Sequence, residues 1–242
     1  MTCHPDHLDV GIDHLDGLYI GGEWHTSAPN VLVDVISPTT EGVVAKVALP
    51  SIADADRAAA LAQQAFCEGP WPTMPVAARV ATCTRLCDGL ERRLNDLNRA
   101  WAFESGPTIA HGEMINSGAG VAVWRGALAA AAELPWEEDR GDAIICREPI
   151  GAVLGILTFN GPIVLMGMKI IPALLAGCTV VIKPAPESPL TARLMAAAID
   201  EAGFPPGVVS VLPADTAVTQ HLVSHPAIDM VALTGGTAIG VD

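Results

Sequence analysis

Four short apolar runs alternate with helical segments from Ile150 to the end of the chain. None of these runs alternates between apolar and polar residues, so each is typical of a strand that is buried on both faces. The segments between them are long enough to cross the sheet and return parallel. The sequence therefore predicts an α/β fold, a Rossmann-type parallel sheet with helices on both faces. The predicted strands are Ala152 to Phe159, Thr179 to Lys183, Val208 to Leu212 and Met230 to Thr234.

Helix start and stop signals separate these strands. Ser188 followed by Pro189 is a typical helix start, with the serine as the cap. A glycine directly after a helical run is a typical helix end. The predicted helices are Ile163 to Ala176, closed by Gly177, Pro189 to Ala202, stopped by Gly203, and Thr216 to Ser224.

The composition changes near Pro149, and the chain before this point mixes helices with short antiparallel strands. We expect a flexible tail over residues 1–17, a first unit over residues 18–149 and the strand-helix unit over residues 150–242. The first unit is predicted to hold a hairpin from Leu18 to Trp24 that turns at Gly21-Gly22, strands Val31 to Ile36 and Val43 to Val47, helices Ile52 to Phe66, Pro75 to Phe103 and about Glu113 to Glu133, and an extended arm from Trp136 to Glu148 with a turn at Gly141.

The charge balance restricts the partners and the compartment. With 27 acidic and 13 basic residues the formal net charge is −14, and such a field repels nucleic acid and anionic lipid. The stretch from Ile150 to Met168 carries no charge, but glycines and a proline interrupt it where a membrane helix would be continuous. The N-terminus has no cationic and apolar signal segment, so we expect a cytoplasmic protein that binds neither nucleic acid nor membrane.

The cysteines and histidines predict no metal site and no disulfide. We expect reduced thiols, because nothing indicates a secreted protein. Cys83 and Cys87 are one helical turn apart, with no histidine nearby to complete a metal site. The histidine- and aspartate-rich start of the chain could chelate a metal, but we interpret it as a solvated tail. The six cysteines are Cys3, Cys67, Cys83, Cys87, Cys146 and Cys178.

Polar residues and glycines follow the predicted strands at their carboxyl ends, where ligands bind in sheets of this kind. An amide, an ammonium group and a glycine-rich turn would converge there, which suits an anionic nucleotide beside a reaction that develops an oxyanion. The four segments are Thr158-Phe159-Asn160, Lys183-Pro184, Pro213-Ala214 and Thr234-Gly235-Gly236-Thr237.

Several motifs in this order and spacing resemble the aldehyde dehydrogenase superfamily. They are PIGAVLGILTFNGPIVLMGMKIIPALLAGCTVVIKPAPESPLTA, GFPPGVVSVLP and HPAIDMVALTGGTAIG, and LYIGGEW, ISPTTEGVVAKV, Trp71, Arg79 and Glu104-Ser105-Gly106 fit as well. The resemblance covers essentially all of the chain from Leu18. It implies a cofactor-binding domain with an oligomerisation arm, which we assign to the early strands and to Trp136 to Glu148.

The resemblance also implies roles for two residues near the reaction centre. Asn160 matches the amide that stabilises the oxyanion, and its alternative role is that of a loop asparagine that satisfies turn backbone. Lys169 matches a lysine near the active site, although it could equally be a snorkelling lysine at a helix edge. Thr158 and Phe159 stand where the family usually has proline and tryptophan.

The cofactor residues are likewise carried over from the family. Lys183 matches the lysine that contacts the adenosine ribose, and its alternative is a surface lysine. Pro186 stands where many relatives have a glutamate, and the nearest acid is the next residue, Glu187. The choice between NAD and NADP as cofactor is therefore open. The candidate cofactor-binding residues are Thr158, Phe159, Lys183, Pro184, Ala185, Pro186, Gly235, Gly236, Thr237 and Gly240. Gly236 stands in place of a serine, and Asp215 would repel a phosphate if it pointed inward.

The resemblance implies oxidation of an aldehyde to a carboxylic acid with NAD(P)+. The cysteine and the glutamate of that reaction would follow Asp242, so we expect a truncated cofactor-binding unit without the catalytic domain, inactive by itself. It would take an aldehyde substrate only when completed by a catalytic half, and it would form a homo-oligomer or associate with a family member. The alternative is a non-catalytic nucleotide-binding or oligomerisation remnant. A standalone reductase is set aside, because the only tyrosine is Tyr19.

Overall fold

The computed structural model describes residues 10–27 and 31–241. Its strands are β1 (Gly17–Ile20), β2 (Glu23–Thr26), β3 (Leu32–Ile36), β4 (Val43–Ala48), β5 (Glu137–Asp139), β6 (Ile144–Cys146), β7 (Ala152–Ile156), β8 (Thr179–Lys183), β9 (Val209–Val211) and β10 (Met230–Leu233). Its α-helices are α1 (Ile52–Glu68), α2 (Val76–Arg92), α3 (Leu94–Ser105), α4 (Ile109–Gly112), α5 (Val121–Glu133), α6 (Pro162–Leu165), α7 (Ile171–Ala176), α8 (Pro189–Ala202), α9 (Thr216–Val223) and α10 (Thr237–Val241). Two π-helical segments, Glu113–Gly120 and Met166–Ile170, join α4 to α5 and α6 to α7.

A six-stranded sheet organises the molecule, in the order β10-β7-β8-β9-β1-β2. The first four of these strands are parallel, and β1 and β2 add an antiparallel edge. Every residue of β7 and β8 is buried, as the apolar runs predict. The predicted α/β fold with a Rossmann-type parallel sheet is confirmed.

Helices cover both faces of the sheet, because alternate residues of its strands point to opposite sides. Val180 and Ile182 belong to a large core with buried residues of α2, α5, α7 and α8. Val181 belongs to a smaller core with buried residues of α1 and α9. Many of the residues that α1 buries are alanines, so this helix lies close to the sheet.

Local signals place most helix ends correctly. Ser51 caps α1 in a reciprocal capping box with Asp54. Gly106, Gly177 and Gly203 end α3, α7 and α8 in the left-handed conformation. The helix predicted from about Glu113 begins earlier, at Ile109, because the Thr108 hydroxyl accepts the His111 N–H.

One predicted helix and one predicted strand are wrong in extent. The run from Pro75 to Phe103 is two helices, since Arg93 leaves helical geometry with φ −99° and ψ 6°. Asp96 then lies in the first turn of α3, where an acid favours a helix start. The strand predicted to reach Phe159 ends at Ile156, so residues 157–160 form the turn that leads into α6.

The early hairpin and the tail differ from the prediction for the first unit. The hairpin β1–β2 has its predicted turn at Gly21-Gly22, but Tyr19 pairs with Val211, so it extends the main sheet instead of forming an arm. Burial of the apolar side chains of β1 explains this position.

The start of the chain also differs from the free tail predicted over residues 1–17. Residues 1–9 lie outside the described part, whereas Val10, Ile12 and Leu15 pack on the core. The boundary near Pro149 stays a prediction.

Two further hairpins stand apart from the main sheet. β3 pairs with β4, and β5 pairs with β6 across the predicted turn at Gly141. Ile144 and Ile145 of β6 are exposed, at 67% and 44%. Among the described helices, none combines the length and the apolar character that a membrane crossing requires.

Candidate functional site

Backbone hydrogen bonds continue past the ends of the parallel strands and draw the following segments together. Leu157 donates its N–H to the Lys183 carbonyl over 2.9 Å, and Ala214 donates to the Pro184 carbonyl over 3.4 Å. On the other side, Thr234 donates to the Ile156 carbonyl over 3.3 Å. The four segments predicted to converge therefore do lie side by side at the carboxyl edge of the sheet.

Asn160 is exposed at this edge, with its amide oxygen engaged by a neighbour. The Thr158 hydroxyl donates to Asn160 Oδ1. Within the described residues, the Asn160 Nδ2 group donates to no protein atom. An amide with its oxygen occupied and its two N–H bonds free can donate to an incoming oxyanion without any change of charge.

Lys183 ends β8 and is buried, with 8% of the residue exposed. Burial lowers its pKa, and the carboxylates of Glu187 and Asp215 act in the opposite direction. No hydrogen bond from its Nζ to another described residue is formed. A partly desolvated ammonium without a fixed partner is suited to the hydroxyls or the phosphate of a bound nucleotide.

Glu104 of α3 supports the segment that follows Lys183. Pro184 and Ala185 are buried, and Pro186 is half-buried. Ser188 occupies the cap position of α8 as predicted, but its hydroxyl accepts no helical N–H. The Glu104 carboxyl caps the helix instead, accepting the N–H groups of Leu190 and Thr191 over 2.7 and 3.0 Å as well as the Thr191 hydroxyl.

Glu104 is itself a perturbed group. Burial raises its pKa to about 8, while the hydrogen bonds from Thr191 and Leu190 and the charge of Arg193 act to lower it. The neighbouring Ser105 hydroxyl donates to the Glu187 carbonyl over 3.4 Å and lies 3.3 Å from the Ser188 hydroxyl. The Glu104-Ser105 pair thus fixes the loop that connects Lys183, at the end of β8, to α8.

The glycine-rich turn after β10 lies at the exposed end of the same edge. Gly235 and Gly236 are exposed, and a Cβ atom at Gly236 would meet no protein atom within 4 Å. Thr237 begins α10, and Gly240 donates its N–H to the Gly236 carbonyl. Open space above a glycine leaves the backbone accessible to a ligand.

Lys169 links this turn to the helix beside it. It lies in the π-helical segment Met166–Ile170, and its Nζ donates to the Leu233 carbonyl over 3.1 Å. The ammonium therefore reaches the carboxyl edge, where it supports the end of β10.

Asp215 follows β9 and caps α9. Its Oδ1 accepts the Val218 N–H over 2.9 Å, and its charge partly opposes the lowering of the Lys183 pKa by burial. Its carboxylate is thus directed to the start of a helix, and it adds negative charge beside Lys183.

The described cysteines offer no nucleophile at this edge. Cys178 precedes β8 and is buried at the opposite, amino end of the strand. Burial raises the pKa of Cys83, and burial also raises the pKa of Cys87, to about 12. Both thiols therefore stay protonated at neutral pH. Cys67 and Cys146 are exposed at the end of α1 and on β6.

A cluster of Asp56, His221 and His225 was not predicted from the sequence. Its ligand-type atoms lie within 4.8 Å of one another, with His221 Nε2 2.5 Å from Asp56 Oδ1. However, His225 Nδ1 accepts the Ala227 N–H over 3.1 Å, so the neutral ring carries its proton on Nε2 and points it at Asp56, 3.5 Å away. In this tautomer His225 is a donor to the carboxylate and not a metal ligand. Of the histidines at the start of the chain, which we interpreted as a solvated tail, His4 and His7 lie outside the described residues, and His14 stacks on Trp24.

Two tryptophans that support the site were missed by the sequence analysis. Trp101 of α3 donates its indole N–H to the Phe159 carbonyl over 2.7 Å, and Trp124 of α5 donates to the Ile163 carbonyl over 3.0 Å. The donor and the acceptor are 58 residues apart in the first bond and 39 in the second, so no local sequence pattern indicates these contacts.

Comparisons with known proteins agree with this geometry. A family model described as the aldehyde dehydrogenase family matches residues 24–242. The chain is 35% identical to geranial dehydrogenase of Castellaniella defragrans over 95% of its own length and 49% of that protein, and 36% identical to mouse cytosolic aldehyde dehydrogenase 1 over 92% and 46%. A crystal structure of a mutant aldehyde dehydrogenase C from Pseudomonas syringae, with NAD+ and octanal, superimposes with a TM-score of 0.91 at 34% identity, over 97% of this chain and 48% of that one. The chain spans about half the length of the relatives it matches.

Proposed function

The chain belongs to the aldehyde dehydrogenase family, and from this premise we propose that it forms the nucleotide-binding part of an NAD(P)+-dependent aldehyde dehydrogenase. The observation that carries the proposal is the carboxyl edge itself. There a free amide at Asn160, a partly buried ammonium at Lys183 and an open glycine turn at Gly235-Gly236 lie at the ends of neighbouring strands.

Our proposal assigns the cofactor to this edge because the residues fit a dinucleotide. Lys183 would hydrogen-bond the ribose, and the loop of Pro184, Ala185 and Pro186 would form the surface beside it. Gly235, Gly236, Thr237 and Gly240 would approach the pyrophosphate, and Thr158 and Phe159 would border the cofactor on the other side. Bound NAD(P)+ supplies the hydride acceptor for aldehyde oxidation.

The choice between NAD and NADP stays open in this proposal. Lys183 can serve either a 2′-hydroxyl or a 2′-phosphate. Glu187 and Asp215 both place negative charge near it, which opposes an additional phosphate. Their effect can be measured directly, because NAD+ and NADP+ differ only in that phosphate.

Asn160 is the proposed oxyanion donor, and Lys169 the second residue assigned to the reaction centre. The bond from the Thr158 hydroxyl leaves the Asn160 N–H groups free to donate. Lys169 contributes by holding the carbonyl at the end of β10, which sets the position of the glycine turn.

Aldehyde oxidation further requires a thiolate nucleophile and a base that activates water. The described cysteines are buried or lie away from this edge, so we propose an aldehyde as substrate only where additional residues supply these groups. The second candidate function is non-catalytic nucleotide binding, for which the amide, the ammonium group and the glycine turn at the described edge would suffice.

Oligomerisation and compartment complete the proposal. The exposed isoleucines of β6 and the separate hairpin β3–β4 favour contact with another copy of the chain or with a family member. We propose a cytoplasmic location, in line with the relative named cytosolic aldehyde dehydrogenase 1.

The test is calorimetric titration of the chain with NAD+ and with NADP+. Lys183→Met keeps the apolar stem and removes the charge, and we expect about a 10-fold loss of affinity, or ~1.4 kcal/mol. Lys46→Met is the matched control, since Lys46 pairs with Asp34 on the exposed hairpin β3–β4. No binding to the unmodified chain, or equal affinities for the two variants, would contradict the proposal.

A further inference from the structure

The turn that carries Asn160 is attached to the helices on one side of it by two indole groups. Trp101 and Trp124 are 2% and 0% exposed, so their rings are fixed by packing. The indole N–H is the only polar group of each side chain, and it donates to a backbone carbonyl in the segment from Phe159 to Ile163.

The positions of these carbonyls are informative. The Phe159 carbonyl belongs to the peptide group that leads into Asn160, so the bond from Trp101 fixes the orientation of that peptide plane. The Ile163 carbonyl lies in the first turn of α6, three residues after Asn160. Asn160 is therefore held on both sides, and Pro162 between the two bonds has a fixed φ.

Close packing supports the second bond. A Cβ atom at Gly167 would lie 2.3 Å from Trp124 Cδ1, so only glycine there allows the indole to approach the helix. Leu157 in turn is tied to the end of β8. A phenylalanine could fill either indole position, but it could not donate a hydrogen bond.

We propose that Trp101 and Trp124 are positioning residues that hold the Asn160 amide in its donor orientation at the carboxyl edge. They act through the Phe159 and Ile163 carbonyls and do not touch a ligand themselves. The inference rests on the role proposed for Asn160, but it concerns the free chain and can be tested without nucleotide.

The experiment is NMR on the chain labelled with 15N-asparagine. The chain has five asparagines, Asn30, Asn95, Asn98, Asn116 and Asn160, so the side-chain amide pairs are few, and Asn160→Ser assigns the pair of interest. Trp101→Phe and Trp124→Phe remove one donor each. Trp136→Phe is the matched control, because its indole donates to the Ala131 carbonyl, outside this turn.

We expect the Asn160 amide pair to shift and its order parameter to fall in both test variants relative to the unmodified chain. The pair should keep its unmodified shift and order in Trp136→Phe. An Asn160 pair that changes no more in the two test variants than in the control would overturn the proposal.

Two additional samples separate positioning from folding. Replacement of either tryptophan by benzothienylalanine keeps the shape of the ring and removes only the N–H, so it provides the same comparison if a phenylalanine variant fails to fold. Thr158→Val should lower the order parameter of the Asn160 amide, and Thr158→Ser should keep it at the unmodified value, since only the Thr158 hydroxyl contacts Oδ1. If the unmodified chain binds no nucleotide but its Asn160 amide is ordered, the proposed function is rejected and this inference stands.

Discussion

The carboxyl edge has an inner part and an outer part that are supported very differently. The inner part follows β7 and β8, which are wholly buried, and α3 holds it at two points one turn apart, Trp101 and Glu104. The outer part follows β10, whose residues are exposed or half-buried, and Lys169 provides its one side-chain anchor among the described residues. The inner geometry thus depends on a helix that precedes the parallel strands in the chain, whereas the outer turn is shaped largely by its own backbone.

The largest expected effect is the removal of Glu104. Glu104→Ala leaves two buried N–H groups of α8 without an acceptor and creates a cavity, and we expect the free energy of unfolding to fall by about 4 kcal/mol. Glu133→Ala, at the exposed end of α5, should change it by less than about 0.5 kcal/mol. Urea denaturation of both variants is the measurement. Similar values for the two would show that α3 does not support the inner part.

The same residue predicts a pH dependence of stability. The pKa of Glu104 rises from 4.5 to about 8 on folding, so the folded state holds the proton more tightly. The resulting stabilisation is complete below pH 4.5 and is lost as the pH rises through 8. Between these values the loss reaches at most about 1.4 kcal/mol per pH unit.

Glu104→Gln tests this dependence, because glutamine has nearly the same shape and does not titrate. Unfolding free energies are measured for both chains from pH 5 to pH 9. The unmodified chain should lose stability relative to Glu104→Gln across this range. Parallel curves would mean that Glu104 stays ionised, with its three hydrogen-bond donors outweighing its burial.

An intermediate effect is expected at Asp215, which follows β9, on the side of the inner part away from β10. Asp215→Ala removes the cap of α9 and should lower the free energy of unfolding by about 1 kcal/mol, whereas Asp215→Asn retains a capping oxygen and should cost only a few tenths. Thermal melts of both variants give the comparison. A loss in Asp215→Asn as large as that in Asp215→Ala would assign the effect to the charge and not to the cap.

The sequence predicted the sheet and the segments at its carboxyl edge, but not what supports them. Strands and helix ends follow from local patterns such as the buried run Thr179–Lys183 and Gly203 after α8. The indole bonds of Trp101 and Trp124 connect residues far apart in the chain, and a tryptophan in a helix looks the same in sequence whether or not its N–H reaches a loop. The cap of α8 was assigned to Ser188 because Glu104 is remote, with 86 residues separating it from Leu190.

The smallest expected effect on stability is at Gly236, in the outer part. Gly236→Ala adds a methyl group that meets no protein atom, and the backbone there is not left-handed, so the free energy of unfolding should change by less than about 0.5 kcal/mol. If this turn approaches a pyrophosphate, the same methyl group occupies the space of the ligand, and calorimetric affinity for NAD+ should fall while the melt stays unchanged. Gly126→Ala on α5, also free of contacts, is the control for an added methyl group elsewhere. Equal NAD+ affinities in the two variants would place the nucleotide away from the turn and leave the inner part, with Lys183, as the binding surface.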